Sequence, residues 1–356
     1  MAHPYKSLPP YSYWSKSVSS LDLLDIDPVT FVPFKIDKNQ KVATAGSCFA
    51  QHIARYLKLS GFNYYIAENC HPIASSDLAK KFNYGIYSAR FGNIYTTRQL
   101  LQLFQRAFGE FEPDELAWKI NDLNWVDPFR PQIQPNGFRT PLELIGDRKQ
   151  HFSKIRQMFT DLDIFIFTLG LTECWSSKSD GAVFPICPGV VGGSYDSKKY
   201  QFNNFNVVEV ELDFQLFLDK LRKINPKAKV ILTVSPVPLV ATAEERHVIV
   251  STIYSKSVLR VAAENLVKNN EDVTYFPSFE IITGNFTRGK YYAEDLRSVT
   301  EAGVEHVMNI FLKHFTVFKS KIECEDILTN SDSSANFLVK MKELVDVNCD
   351  ELNYDK

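Results

Sequence analysis

The sequence lacks the features that mark exported, membrane-spanning and nucleic-acid-binding proteins. Its first residues contain no basic stretch followed by an apolar one, so we expect no signal peptide. No segment reaches the roughly 18 apolar residues that a membrane helix requires. The formal net charge is -2, and the basic residues form no stripe along the chain. We therefore expect a cytoplasmic protein without membrane insertion and without a nucleic-acid partner.

Cysteine and glycine spacing give no sign of a metal site or a phosphate-binding loop. The six cysteines, at positions 48, 70, 174, 187, 324 and 349, show no paired metal-ligand spacing. We interpret them as free thiols and predict no metal site. The segment "PGVVGGS" matches neither of the usual Gly-rich phosphate-binding patterns.

Five short segments predict β-strands, and helical patterns lie between them. The predicted strands are 41–45, 63–67, 164–169, 230–234 and 273–276, and four of them are nearly continuous apolar runs. Strands that alternate with helices are typical of a doubly wound parallel sheet that is buried on both faces.

The composition of the remaining segments predicts the domain organisation. Residues 1–40 form an N-terminal arm, 41–318 form one α/β domain, and 319–356 form a polar C-terminal tail that either adds a helix near 335–345 or is partly disordered. Within the domain, 110–150 is predicted as an insertion and 176–206 as a long loop.

The turn after the first predicted strand carries chemically active side chains. Gly46, Ser47 and Cys48 end this strand, and a helical pattern follows at once. Ligands of open parallel sheets bind beyond the carboxyl ends of the strands. A helix N-terminus offers unpaired N–H groups to an anion, and a thiol there is a better nucleophile. On these residues alone, the alternative is that Ser47 caps the helix and Cys48 fills the core.

Five sequence blocks in a fixed order resemble the GSCFA family. They are "ATAGSCFAQHIARYL", "FTLGLTECW", "ILTVSPVPLVAT", "YSKSVLR" and "YFPSFEI". This family in turn resembles the SGNH (GDSL-like) hydrolase superfamily. The resemblance implies a flavodoxin-like three-layer sandwich with a central five-stranded parallel sheet, and esterase-type chemistry, often on acylated glycans.

The superfamily's first block, Gly-Asp-Ser, implies which residue is the nucleophile. It matches Gly46-Ser47-Cys48, so the resemblance puts Cys48 at the nucleophile position, with Ser47 shaping the turn. A weaker match places the second-block glycine at Gly92, with Asn93 beside it.

The third block, Gly-x-Asn-Asp, matches Gly170-Leu171-Thr172-Glu173. The resemblance implies that Thr172 donates to an oxyanion in place of Asn. It also implies that Glu173 takes the place of Asp. A carboxylate beyond a buried strand can also act as an acid or base, although an exposed or arginine-paired Glu173 is the alternative.

The fifth block departs most from the superfamily pattern. Asp-x-x-His is represented by Asp295-Leu296-Arg297-Ser298, so the histidine base is missing. Asp295 and Ser298 remain candidates for the site, and His247 after the fourth strand is a candidate substitute. His52 and His71 are others. His306 is expected to be solvated, because it points away from the apolar stripe of its helix.

Four further side chains are considered for the predicted site. Trp175 is either a sugar platform or a packing residue, and Ser235 follows the fourth strand as a substrate contact. Ser255 and Lys256 resemble a Ser/Lys pair, but their mid-helix position favours structural hydrogen bonds or a phosphate contact.

These residues lead to a functional hypothesis with two alternatives. The hypothesis is an SGNH-like hydrolase of acyl esters, with an acylated carbohydrate or another small ester as substrate and no cofactor. One alternative is a cytosolic acyltransferase that would use coenzyme A as acyl donor. The other is a catalytically inactive glycan-binding or assembly protein. A homodimer is left open.

Overall fold

Strands and helices alternate along the residues that this computed structural model describes, namely 3–120, 122–317 and 350–354. The strands are β1 (Val42–Gly46), β2 (Trp118–Lys119), β3 (Trp125–Val126), β4 (Ile164–Leu169), β5 (Glu173–Ser177), β6 (Val183–Phe184), β7 (Tyr200–Asn204), β8 (Lys229–Val234) and β9 (Val273–Tyr275). The α-helices are α1 (Trp14–Ser17), α2 (Phe49–Leu59), α3 (Ser76–Lys81), α4 (Thr97–Ala107), α5 (Pro141–Asp161), α6 (Val207–Ile224), α7 (Val248–Asn269), α8 (Ser278–Thr283) and α9 (Glu301–Phe315). Short 3-10 helices cover Pro4–Ser7, Pro10–Ser12, Leu23–Asp25, Asn285–Thr287 and Asp350–Asn353.

A parallel four-stranded sheet in the order β1-β4-β8-β9 forms the centre of the protein. Successive side chains of a strand point to opposite faces, and β4 shows this clearly. Phe165 and Phe167 pack into a core with helices α4–α7, whereas Ile164 and Ile166 pack into a second core with α2, α8 and α9. The arrangement is a three-layer α/β sandwich of Rossmann-like type, which confirms the predicted parallel sheet with helices on both faces.

The fifth predicted strand, 63–67, is reduced to a single bridge. Tyr64 pairs with Val42 of β1 in parallel, and the backbone N–H of Tyr65 donates to the Val42 carbonyl at 2.8 Å. Further along β1, the backbone N–H of Thr44 donates instead to the Ser88 hydroxyl at 3.0 Å. A side chain thus replaces the next strand partner. The sheet therefore has four strands in the described part of the chain, not five.

The predicted insertion and the predicted long loop both contain regular structure. Helix α5 begins at Pro141, so the end of the segment 110–150 belongs to a core helix. β2 and β3 form a small antiparallel pair within that segment. β5, β6 and β7 form an antiparallel sheet that spans most of the segment 176–206.

A buried ion cluster attaches the insertion to the core. The Asp127 carboxylate lies 2.9 Å from Arg130 Nε and 2.9 Å from a terminal nitrogen of Arg148 in α5. Burial by itself would raise the pKa of Asp127, but Arg148 and Arg130 lower it well below its usual range. Removing either arginine would leave a buried carboxylate undercompensated, so this cluster fixes the insertion against α5.

The N-terminal arm packs against the end of the last helix. The backbone N–H of Ile36 donates to the Phe315 carbonyl at 2.7 Å, and that of Val317 donates to the Ile36 carbonyl at 2.9 Å. The helix predicted near 335–345 lies outside the described residues. Among the helices that are described, none has the length and apolar character required to cross a membrane.

Candidate active site

The turn between β1 and α2 places a hydroxyl and a thiol at the carboxyl edge of the sheet. Gly46 has a φ of +132°, and a Cβ at this position would lie 2.3 Å from the Thr168 carbonyl oxygen, so only glycine fits. Ser47 and Cys48 are 3% and 4% exposed, and Cys48 is a free thiol at the N-cap of α2. Within the described residues the Ser47 hydroxyl has no hydrogen-bond partner. A buried hydroxyl without a partner is unusual in a folded protein.

Asn93 lies beside this turn, on the loop that precedes α4. The backbone N–H of Ile94 donates to the Gly46 carbonyl at 2.8 Å. The Asn93 side-chain carbonyl accepts a hydrogen bond of 3.1 Å from Gln51 of α2. Gly92 has a φ of +75°, a conformation that favours glycine. These contacts fix the Asn93 amide next to the start of α2.

Gly170, at the end of β4, approaches the same turn closely. A Cβ on Gly170 would lie 3.0 Å from the Cβ of Ser47 and 3.1 Å from the Tyr95 carbonyl oxygen. Its N–H donates to that Tyr95 oxygen at 3.1 Å, and its carbonyl accepts from the Lys256 ammonium at 2.7 Å. Three separate chain segments thus converge around Ser47.

The Thr172 hydroxyl is directed away from this point. It is fully buried and donates to the Asn204 side-chain oxygen at 2.6 Å, while the Thr172 backbone N–H donates to the Ser255 hydroxyl at 3.0 Å. The hydroxyl hydrogen is therefore committed to Asn204. Ser255 and Lys256 hold the turn after β4 by hydrogen bonds, as the structural interpretation of this pair predicts.

A cavity of about 260 Å³ opens beside these strand ends. Its walls are mainly apolar and aromatic, and they include Trp175, Phe184, Phe202 and Leu239. The Trp175 ring lies 5.3 Å from the Tyr195 ring and 5.7 Å from the Phe202 ring. Trp175 thus packs against other rings and also faces the cavity.

Glu173 is a carboxyl group on the wall of this cavity. It is partly buried and accepts a 2.7 Å hydrogen bond from the Thr242 hydroxyl. Burial raises the pKa of Glu173, although the hydrogen bonds of Thr242 and Ala243 oppose the shift. A carboxyl with a raised pKa in a cavity is suited to proton transfer.

Ser47 and Cys48 do not line the cavity, but two residues connect it to their turn. Leu171 lines the cavity and follows Gly170, which contacts Ser47. Glu351 lines it as well and follows Asp350, which Asn93 binds.

Asp295 and Ser298 form an exposed turn of their own. The Ser298 hydroxyl donates to the Asp295 carboxylate at 2.5 Å, and the Ser298 backbone N–H donates to it at 2.8 Å. The hydrogen bond from the Ser298 hydroxyl is the main reason why the pKa of Asp295 is lowered. Neither residue lines the cavity; the neighbouring Arg297 instead reaches towards it, with a 3.0 Å ion pair to Glu351.

His247 and Ser235 have local structural contacts. His247 is exposed and caps α7, where its Nδ1 accepts from the Ile249 backbone N–H at 3.2 Å. Ser235 is buried, and its hydroxyl accepts from the Val237 backbone N–H at 3.3 Å.

The three other histidines considered for the site lie in different environments. Burial and then the Arg55 charge lower the pKa of His52 to about 3, so it is neutral. His71 is exposed, and its Nδ1 accepts from a neighbouring backbone N–H. The prediction that His306 is solvated is wrong: it is 4% exposed and bonded to the Tyr291 hydroxyl at 2.6 Å. In the described residues, no hydrogen bond joins a histidine to Ser47 or Cys48.

Sequence reasoning missed the residues that close the site, which come from the C-terminal end of the chain. Asp350 accepts hydrogen bonds from the Asn93 amide at 3.0 Å and the Tyr95 hydroxyl at 3.4 Å. Asp350 and Glu351 are both 6% exposed. Burial raises the pKa of Asp350 to about 6, against the effect of its two donors, and burial also raises the pKa of Glu351. The acidic "CDEL" sequence gave no local signal of this burial, because it follows a long polar stretch.

The fold and the converging side chains define an α/β protein of Rossmann-like type with its candidate site at the carboxyl edge of the sheet. The GSCFA family model matches residues 41–311, roughly three quarters of the chain. The chain therefore belongs to the GSCFA family. No curated protein matches the sequence significantly. Across the described segments, no group of three His, Cys, Asp or Glu side chains is arranged to hold a metal ion.

Proposed function

We propose that this protein is an SGNH-like enzyme that hydrolyses acyl esters, with Cys48 as its nucleophile. One observation carries the proposal: Ser47 and Cys48 lie at the N-terminus of α2, where Gly170 approaches Ser47 and Asn93 is bound to Gln51 in the first turn of the helix. Unpaired N–H groups at a helix N-terminus and a nearby amide can stabilise the oxyanion of an acyl-transfer intermediate.

Glu173 is the group that we assign to proton transfer. Because Cys48 does not line the cavity, its thiol proton passes to the Glu173 carboxylate through a water molecule in the cleft as the sulfur attacks the ester carbonyl carbon. The ester C–O bond then breaks, and the proton passes from Glu173 to the departing alkoxide. Water next attacks the thioester carbonyl carbon while Glu173 accepts a water proton; the C–S bond breaks, the proton returns from Glu173 to the Cys48 sulfur, and the free acid leaves. The partly buried position of Glu173 on the cavity wall supports this assignment.

An acylated sugar or polysaccharide precursor is the substrate class that we favour. Aromatic rings stack on the apolar faces of flat ligands, and Trp175 presents its ring to the cavity. The cavity offers carboxyl groups beside these rings, which suit a ligand rich in hydroxyl donors.

Hydrolysis of p-nitrophenyl acetate by single variants tests the proposal. Cys48→Ala should lower kcat/KM by about 10³-fold or more, as the loss of a nucleophile does in related chemistry. Cys70→Ala serves as the matched control, because Cys70 is a free thiol outside this site. Undiminished activity in Cys48→Ala would overturn the assignment, and loss in Ser47→Ala alone would transfer the role to Ser47.

A further inference from the structure

The C-terminal residues 350–354 are held by side chains and backbone from distant parts of the fold. The Asn93 amide and the Tyr95 hydroxyl bind the Asp350 carboxylate, and the Asp350 backbone N–H donates back to the Tyr95 oxygen at 3.1 Å. Arg297 pairs with Glu351 at 3.0 Å. At the other end of the segment, the Tyr354 hydroxyl accepts a 2.9 Å hydrogen bond from the backbone N–H of Cys187. The segment is thus docked at both ends.

The segment also separates two cavities. Glu351 and Tyr354 line the 260 Å³ cavity, whereas Asp350 lines a much smaller cavity that borders Gly92 and Asn93. Pro185 lines both cavities. Removing the segment would therefore join the two spaces into one cleft that reaches the Asn93 amide.

The position of the Asp350 carboxylate indicates what this cleft binds. Its oxygen accepts hydrogen bonds from two side-chain donors, the Asn93 amide and the Tyr95 hydroxyl. Asn93 is fixed to α2 through Gln51, one helical turn beyond Cys48. The Asp350 carboxyl group is thus linked through Asn93 and Gln51 to the first turn of α2, which follows Cys48.

We propose that Asn93 and Tyr95 form a carboxylate-binding subsite and that residues 350–354 occupy it as an internal competitor of the substrate. The identity of the competing substrate rests on the proposed function, whereas the docking of the segment does not. Ser47 and Cys48 are almost completely buried and do not line the open cavity, which is the result expected when the cleft is already filled. Undocking of the segment opens the cleft, and docking closes it.

The charges around the segment are consistent with a reversible contact. Glu351 faces Arg297, Lys256 and Glu173, as well as the neighbouring Asp350. The two cations favour docking, whereas Asp350, Glu351 and the partly buried Glu173 repel one another when they are ionised. Free carboxylates compete for the same donors once the segment has left.

Alkylation of Cys48 by iodoacetamide, followed by mass spectrometry, tests the inference without requiring ester turnover. A chain that ends at residue 349 should be alkylated at Cys48 at least about tenfold faster than the full chain, with Cys70 in the same sample as the internal control. Asp350→Ala should give a smaller acceleration in a chain of full length, which covers the case in which the truncated chain does not fold. Adding the peptide DELNYDK to the truncated chain should restore protection, and the peptide NELNYDK should restore less.

Three results would overturn the inference. One is an unchanged alkylation rate in both folded variants, and another is equal protection by the two peptides. A truncated chain that folds but hydrolyses p-nitrophenyl acetate more slowly than the full chain would also contradict it, because the segment would then assist the reaction. Failure of the proposed function is a separate result: it is the absence of Cys48-dependent hydrolysis, and the alkylation rates remain interpretable in that case.

Discussion

The β1–α2 turn and the C-terminal segment 350–354 lie at the same edge of the sheet, but they differ in whether their buried polar groups have partners. In the turn, the Ser47 hydroxyl is buried without a hydrogen-bond partner among the described residues. In the segment, Asp350 and Glu351 are buried but each has a donor or an arginine. Buried polar groups are normally paired. The unpaired hydroxyl thus lies in the turn that we propose as the nucleophile site, and the paired carboxyl groups lie in the segment that we propose as an internal competitor.

The shape of the turn depends on the backbone conformation of Gly46, whereas the segment is held mainly by hydrogen bonds and an ion pair of side chains. A change in the backbone of the turn should therefore have the larger effect on stability. Gly46→Ala should lower the free energy of unfolding by about 3 kcal/mol or more, because its Cβ would lie 2.3 Å from the Thr168 carbonyl oxygen at a φ of +132°. Urea unfolding measures this change.

Gly61→Ala is the matched control for that experiment. Gly61 also has a positive φ, +72°, but no atom lies within 4 Å of a Cβ at this position. It should cost about 1 kcal/mol, from backbone strain alone. Equal losses in the two variants would show that the close approach to Thr168 contributes nothing.

The carboxyl groups of the segment make its docking dependent on pH. The pKa of Asp350 is about 6 in the docked state, above its ordinary value of 3.8 in the unfolded chain. The docked state therefore binds the proton more tightly, and docking is strongest below about pH 4 and weakens as the pH rises through 6. The full weakening over this range is about 3 kcal/mol.

Hydrogen exchange of residues 350–354 at pH 5 and pH 8, corrected for the intrinsic exchange rate, measures this effect. Asp350→Asn should flatten the dependence, because the amide has no proton to lose in this range. Protection that increases from pH 5 to pH 8 would show that Arg297 and Lys256 dominate the docking of the segment.

The smallest effect is expected at Thr172, whose hydroxyl is paired within the fold rather than exposed to the ligand. Thr172→Val removes the hydrogen bond to Asn204 and should cost about 1 kcal/mol of stability. Its ester hydrolysis should stay within about threefold of the parent, and Thr172→Ser should restore the lost stability. A hundredfold loss of kcat in a fully stable Thr172→Val would return Thr172 to the oxyanion site that the family resemblance implies.

Local sequence was sufficient to predict the central parallel sheet and the turn that follows its first strand. β1, β4 and β8 are largely apolar and buried, apart from Lys229 at the start of β8. The fifth strand was not predictable in this way, because Ser88, far along the chain, takes the place of its continued pairing with β1.

The burial of His306 and of Asp350 was not predictable from local sequence, because it depends on contacts between distant segments. His306 lies on the polar side of its helix, but the N-terminal arm covers it through the backbone of Leu24 and Ile26. Asp350 meets Asn93 across most of the length of the chain. The composition of an acidic tail predicts that it is exposed to solvent. The folded structure shows instead that two of its carboxyl groups, Asp350 and Glu351, are buried.

Peptide mapping of the acylated protein tests the central claim most directly. The protein is mixed with p-nitrophenyl acetate, quenched in acid and digested, with the full chain and the chain ending at residue 349 treated in parallel. We expect an acetyl group on the Cys48 sulfur in both chains, with faster labelling in the chain that ends at residue 349. Ester hydrolysis with the acetyl group on Ser47, or with none on the peptide that contains Cys48, would contradict it.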